Sequence, residues 1–257
     1  MDNGDIKIEI QNLTMAYGSF VVMQNISARV KRGSVFVIMG NSGSGKSTLL
    51  RHMIGLQRPA KGDVLYDGKS FWGMDDEDRR GQLRKYGVLF QSGALWSSMT
   101  LAENVALPLI EYTDCSQTEL QDIVRLKLAL VGLSGFEDHY PAEISGGMLK
   151  RAGLARAMAL DPEILFFDEP SAGLDPITSR NMDQLILELR DSLGATVVAV
   201  THELASIFLI ADDCIFLDGE TKTMRAQGNP KELLKHSSDA KLRAFLTRGE
   251  ASSQAAA

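Results

Sequence analysis

Val35-Phe36-Val37-Ile38-Met39-Gly40-Asn41-Ser42-Gly43-Ser44-Gly45-Lys46-Ser47-Thr48-Leu49-Leu50 begins as an unbroken apolar run and changes abruptly to glycines and hydroxyl residues. A continuous apolar run of this length fits a strand buried on both faces, as in a parallel sheet. Gly40 to Ser47 then match G-x-x-x-x-G-K-[ST] in full, and Thr48-Leu49-Leu50 can start a helix. A strand before and a helix after turn this pattern from a surface glycine turn into a phosphate loop. The glycines let backbone N–H groups face inward around phosphates, and the helix adds its positive N-terminal end. Lys46 is then placed to reach terminal phosphates, and Ser47 to offer its hydroxyl to Mg²⁺. The expected lining is Gly40, Asn41, Ser42, Gly43, Ser44, Gly45, Lys46, Ser47 and Thr48.

The same strand character recurs at Val88-Leu89-Phe90, Ile164–Phe167, Thr196–Val200 and Cys214–Leu217, with helical stretches between. Strands alternating with helices indicate an α/β core. Ile6, Ile8 and Ile10 alternate with Lys7 and Glu9, which predicts a half-buried strand at an antiparallel edge. From Gln91 to Leu160 the strand-like runs stop. Leu120, Ile123, Val124, Leu128 and Val131 predict a helix over Glu119–Leu133, and Gly146–Leu160 predicts another. Asn229-Pro230-Lys231-Glu232 predicts a capped start, with a capping box, for a last helix. The fold class is therefore an α/β P-loop NTPase core, a mostly parallel sheet with helices. It carries an antiparallel β edge subdomain and an inserted α-helical subdomain. The expected division is one domain over 1–249: core at 1–90 and 161–228, helical subdomain at 91–160, C-terminal helix at 229–249. A flexible tail is expected at 250–257.

Bulk properties narrow the role. The chain of 257 residues carries a formal net charge of −6 and a pI near 5.3, which argues against broad binding to nucleic acid. Its two cysteines, Cys115 and Cys214, offer no metal spacing and no disulfide framework. No apolar run approaches the ~18–20 residues of a membrane helix, and the acidic, polar N-terminus is no signal peptide. A peripheral protein is expected, whose membrane part, if it serves one, comes from another subunit.

Asp168 and Glu169 directly follow the apolar run Ile164–Phe167. The carboxyl ends of buried parallel strands are where ligands bind. Asp168 suits a Mg²⁺ ligand and Glu169 a base for an attacking water. An acidic turn before Pro170 is the alternative, weakened by the phosphate loop upstream.

Ile144-Ser145-Gly146-Gly147-Met148 narrows the class. A serine and two glycines at a helix start make a second anion site of hydroxyl, bare N–H groups and helix dipole. Here the chain resembles the ATP-binding-cassette family, whose signature is usually Leu-Ser-Gly-Gly-Gln. The resemblance covers about Ile6 to Gly249. It implies that Ser145, Gly146 and Gly147 meet the nucleotide held by an opposite subunit, so that two cassettes, most simply a homodimer, sandwich ATP. It also implies that Tyr17 stacks on adenine, Gln91 contacts Mg²⁺ and senses the membrane subunit, and His202 contacts the γ-phosphate. Asp175, within Ser171-Ala172-Gly173-Leu174-Asp175, would reach across the dimer. The implied catalytic set is Glu169, His202, Lys46 and Gln91; the implied Mg²⁺ set is Ser47, Gln91 and Asp168. Met148 departs from the family pattern: a Gln at the third helical position could reach back to cap the helix, and Met cannot.

Phe90-Gln91-Ser92-Gly93-Ala94-Leu95, Asn104-Val105-Ala106-Leu107-Pro108-Leu109 and Ser145-Gly146-Gly147-Met148 with Lys150-Arg151-Ala152 are similar to the ATPases of Mla/Mce-type lipid transporters. That resemblance implies an ATPase on the cytoplasmic face of the inner membrane. Its partners would be an integral-membrane permease, an Mce-domain substrate-binding protein and a small STAS-domain subunit, and its cargo phospholipid. The rival readings are the ATPase of an importer or exporter of another solute, and a soluble cassette such as an iron–sulfur assembly factor.

Overall fold

Val35–Gly40 is buried at all six positions, and the rest of the chain is arranged around strands of this kind. The computed structural model describes residues 5–248. In chain order the elements are β1 (Ile6–Tyr17), β2 (Phe20–Lys31), β3 (Val35–Gly40), α1 (Lys46–Met53), β4 (Lys61–Tyr66), β5 (Lys69–Ser70), α2 (Asp76–Leu83), β6 (Tyr86–Leu89), α3 (Leu101–Tyr112) and α4 (Gln117–Leu130). They continue with α5 (Gly146–Ala157), β7 (Ile164–Asp168), α6 (Pro176–Leu193), β8 (Thr196–Val200), α7 (Leu204–Ile210), β9 (Asp213–Asp218), β10 (Thr223–Gly228), α8 (Pro230–His236) and α9 (Ala240–Leu246). Two compact units result: residues up to Asp75 with those from Val198 onward, and Asp76–Val197.

The first unit holds an antiparallel sheet in the order β2-β1-β4-β5. It also holds β3, paired in parallel with β9, which pairs antiparallel with β10. β8 enters this unit at Val198 and flanks β3 on its other side. The alternating segment Ile6–Ile10 is not an edge. β1 pairs with β2 on one side and β4 on the other. Lys7, which reads as a solvent position, is 1% exposed, because its ammonium meets the Asp67 carboxylate at 2.7 Å. The chain between 229 and 248 forms two helices where one was expected. The Asn229 side chain caps α8, accepting from Lys231 and Glu232 N–H, but Glu232 turns forward to Lys235 and His236 rather than back into a capping box. A second cap, Asp239, then starts α9. The tail at 250–257 lies outside the described residues.

In the second unit β6 pairs in parallel with β7, and α5 packs against β6. Thr100 with Glu103, and Ser116 with Glu119, form full capping boxes that start α3 and α4. α4 therefore begins two residues before the expected Glu119, and Gly132, at φ 69°, follows its end. In this unit α5 lies directly on β6. A Cβ at Gly87 would sit 2.2 Å from the Ala157 carbonyl oxygen, and one at Gly153 would sit 2.9 Å from that of Gly93. Among the described residues no helix is long and apolar enough to cross a membrane.

Candidate functional site

The first unit carries Tyr17, the phosphate loop and His202. Gly43 and Gly45 have φ of 77° and 83°, a region that residues with a Cβ avoid. At Gly40 a Cβ would lie 2.5 Å from the Leu217 carbonyl oxygen of β9. Gly45 is the N-cap residue of α1 and supplies no side-chain cap, which leaves leading N–H groups of the helix for an anion. Lys46 is 7% exposed. Its Nζ donates to the carbonyls of Gly40 and Asn41, each at 3.0 Å, so the ammonium is folded into the loop. The buried Ser44 hydroxyl has no hydrogen-bond partner in the protein. A buried hydroxyl of that kind calls for a partner from outside the chain. Ser47 and Thr48 open α1, and Asn41, Ser42 and Gly43 are exposed. These features together fit a phosphate group.

Tyr17 lies at the tip of the β1–β2 hairpin opposite Phe20 and is half-exposed. The hairpin abuts the loop: Met15, Val22 and Met23 fill the space a Gly45 side chain would take. His202 follows β8. The preceding Thr201 N–H donates to the Ile38 carbonyl of β3, which brings the β8 end beside the strand that feeds the loop.

The second unit carries Gln91, Ser145, Gly146, Gly147, Asp168, Glu169 and Asp175. Gln91 is exposed in the turn after β6. That turn holds Gly93 at φ 76° and Ala94 at φ 51°, and Arg156 of α5 donates to both their carbonyls, at 3.1 and 2.8 Å. Burial pushes the Arg156 guanidinium pKa down. Asp168 ends β7. Glu169 follows at φ 52° and 9% exposure, and its carbonyl accepts from Ala172 N–H and from Lys150 Nζ.

Ser145 caps α5, its Oγ accepting from Met148 N–H at 3.3 Å. The hydroxyl hydrogen is thereby left to donate outward from the helix start. Ser145 and Gly146 are exposed. Gly147 is buried because α6 is close: a Cβ there would lie 2.8 Å from Thr178 Cγ2. Asp175 caps α6, accepting from Ile177 and Thr178 N–H at 3.1 Å. The Thr178 hydroxyl and these N–H groups hold its carboxyl below the usual range.

The cap at Ser145 stands without help from position 148. Met148→Gln is therefore expected to leave ATP hydrolysis within severalfold of the parent, measured as steady-state phosphate release. Total loss of activity would show that Met148 does more than occupy the helix.

Lys150 and Arg156 were not legible as site residues. α5 buries Gly147, Lys150, Ala152, Gly153, Leu154 and Ala155, positions on more than one face, so no apolar stripe set the two cations apart. The available signal was three cations, Lys150, Arg151 and Arg156, on a helix otherwise rich in glycine, alanine and leucine.

Comparison with known proteins places these segments. The ABC transporter family profile matches residues 23–172. The chain is 41% identical over 241 residues to the probable ribonucleotide transport ATP-binding protein mkl of Mycobacterium tuberculosis, covering 94% of this chain and 66% of that protein. It is 39% identical over 243 residues to the intermembrane phospholipid transport system ATP-binding protein MlaF of Haemophilus influenzae, covering 95% and 90%. Among solved structures, a dimeric post-hydrolysis state of the ATP-binding cassette MJ0796 bound to ADP and Pi superposes with a TM-score of 0.78 at 31% identity, over 86% of this chain and 98% of that one. CbiO1 from Clostridium perfringens, part of the ABC transporter complex cbiONQ, gives 0.82 at 26% identity, over 97% and 99%. The chain thus spans 66% of the length of mkl and 90% of MlaF, and with a family profile covering its phosphate loop, signature and strand-end acids it belongs to the ABC transporter family.

Proposed function

We propose that this chain is the ATP-hydrolysing subunit of an ABC transporter that moves phospholipid through a separate permease in the inner membrane, working from its cytoplasmic face. The observation that carries the reading is one chain with two anion-binding helix starts: the loop closed on Lys46 and the Ser145-capped α5. Two copies then complete two sites. Phosphates lie on Gly40–Thr48 of one copy, with Tyr17 on the adenine. Ser145, Gly146, Gly147 and Asp175 come from the other.

Glu169 accepts a proton from the water that attacks the γ-phosphate, while Lys46 and His202 offset the charge that develops on the phosphoryl oxygens. Ser47, Asp168 and Gln91 would hold Mg²⁺, which needs only one or two carboxylates beside phosphate oxygens and water. When bound, the ion neutralises phosphate charge. Loss of the γ-phosphate removes the bridge between copies, and the dimer reopens.

The likeness to MlaF supports phospholipid as cargo, an Mce-domain binding protein and a STAS-domain subunit as further partners. The likeness to mkl, named for ribonucleotide transport, supports a rival solute. Purification of the tagged chain from membranes decides between them. The expected result is two copies of this chain per permease pair, co-purifying phospholipid, with ATPase activity raised by phospholipid and not by ribonucleotide. A complex with a single copy and no other cassette would overturn the two-copy site. Stimulation by ribonucleotide alone would overturn the cargo.

A further inference from the structure

We propose that Lys150 is a positioning residue for the catalytic base: its ammonium clamps the backbone of the turn that carries Glu169. The proposal rests on the reading of Glu169 above.

Lys150 lies in the second turn of α5 and is 6% exposed. Its Nζ donates to the Glu169 carbonyl at 3.1 Å and to the Ala172 carbonyl at 2.6 Å. The two carbonyls are the ends of a tight turn, closed by Ala172 N–H on the Glu169 oxygen at 3.2 Å. Glu169 itself holds φ at 52°. A residue with a Cβ stays in that region only when its surroundings fix it there. The lysine is the group that does so, because one ammonium gathers both carbonyl oxygens.

Burying an ammonium is unfavourable unless it is fully hydrogen-bonded, and an apolar side chain of equal length would pack at this place without that penalty. Its bonds to the turn offset that penalty. Burial pushes the Lys150 pKa down, and the Glu169 charge opposes this. The same helix begins at Ser145, so one rigid element sets both the outward-facing hydroxyl and the base. Arg156 does for the Gly93–Ala94 turn after Gln91 what Lys150 does for the Glu169 turn.

The test compares Lys150→Met, Lys150→Gln and Lys150→Arg in the full chain, with Mg-ATP turnover and binding of a fluorescent ATP analogue read separately. A displacement of about 1 Å in a catalytic group lowers turnover about 10²-fold. Lys150→Met is expected to lose about 10- to 100-fold in kcat with nucleotide affinity unchanged. Lys150→Arg, which keeps the donors and charge, should recover most of the loss. In a Glu169→Gln background, Lys150→Met should change turnover no further, because the group it positions is already gone. A fully active Lys150→Met beside an inactive Glu169→Gln overturns the proposal alone. Near-parental turnover in Glu169→Gln removes the base, and the proposal with it. If Lys150→Met does not fold, Lys150→Gln, which keeps N–H donors but loses reach and charge, should lose at least about 10-fold in kcat with nucleotide affinity unchanged, and parental turnover in Lys150→Leu would overturn the proposal. Loss of folding in both makes the residue purely structural and overturns the proposal.

Discussion

Glu169→Gln is expected to bind ATP, stay paired in the ATP-bound state and hydrolyse about 10²–10⁴-fold more slowly than the parent, the scale of a missing general base. The substitution keeps shape and removes only the capacity to take a proton. Its backbone is fixed by contacts that the side chain does not make: the Glu169 carbonyl is held by Lys150 and by Ala172 N–H. The left-handed conformation at this residue is already borne by a side chain with a Cβ, so an amide in place of the carboxylate adds no strain. The checking measurements are steady-state phosphate release, nucleotide binding, and the mass of the particle with ATP present. Slow turnover with intact binding and a persistent dimer is the expected set. Near-normal turnover would take the role of base away from Glu169.

Lys46→Ala fails at an earlier step. In the parent the ammonium rests on the carbonyls of Gly40 and Asn41, inside the loop proposed to hold phosphate. Hydrogen bonds to charged groups contribute about 1.5–3 kcal/mol each. Loss of one or two of them is expected to weaken nucleotide binding by about 10- to 10⁴-fold at about 1.4 kcal/mol per tenfold. The alanine also frees the two carbonyls that the lysine tied down, which loosens the loop. Calorimetric titration with ATP reads this directly. Lys46→Ala is therefore expected to lower affinity, whereas Glu169→Gln is expected to leave affinity and remove turnover. Tight ATP binding by Lys46→Ala would mean that the loop holds phosphate through its backbone alone.

Much of this was open to reading in the residues. Val35–Met39 showed its strand because burial on both faces demands continuous apolarity, and the glycine pattern after it has few other uses. Ser145 and Asn229 announced helix starts, since capping is a local interaction among near neighbours. β1 was misplaced for the opposite reason. The alternation Ile6, Lys7, Ile8, Glu9 looks half-solvated, and only the distant Asp67 turns Lys7 into an interior residue. The single helix expected over 229–249 broke at a second cap that an uninterrupted helical reading passed over. The contacts of Lys150 and Arg156 were not foreseen because their partners are backbone carbonyls, which carry no residue identity. The glycines Gly87, Gly147 and Gly153 likewise answer to neighbours remote in the chain.

The Lys7–Asp67 pair gives the four-stranded sheet a weak point in acid. Burial raises the Asp67 carboxyl, but hydrogen bonds from Lys7 and Arg32 outweigh it and hold the group below the usual carboxylate range. An unfolded aspartate takes its proton near pH ~3.9, so the contribution of Asp67 is complete above that point and fades as acidity rises through the lower folded value. Once Asp67 is neutral, Lys7 and Arg32 both lose the charge of this partner. Acid should thus loosen the join between β1 and the β4–β5 turn.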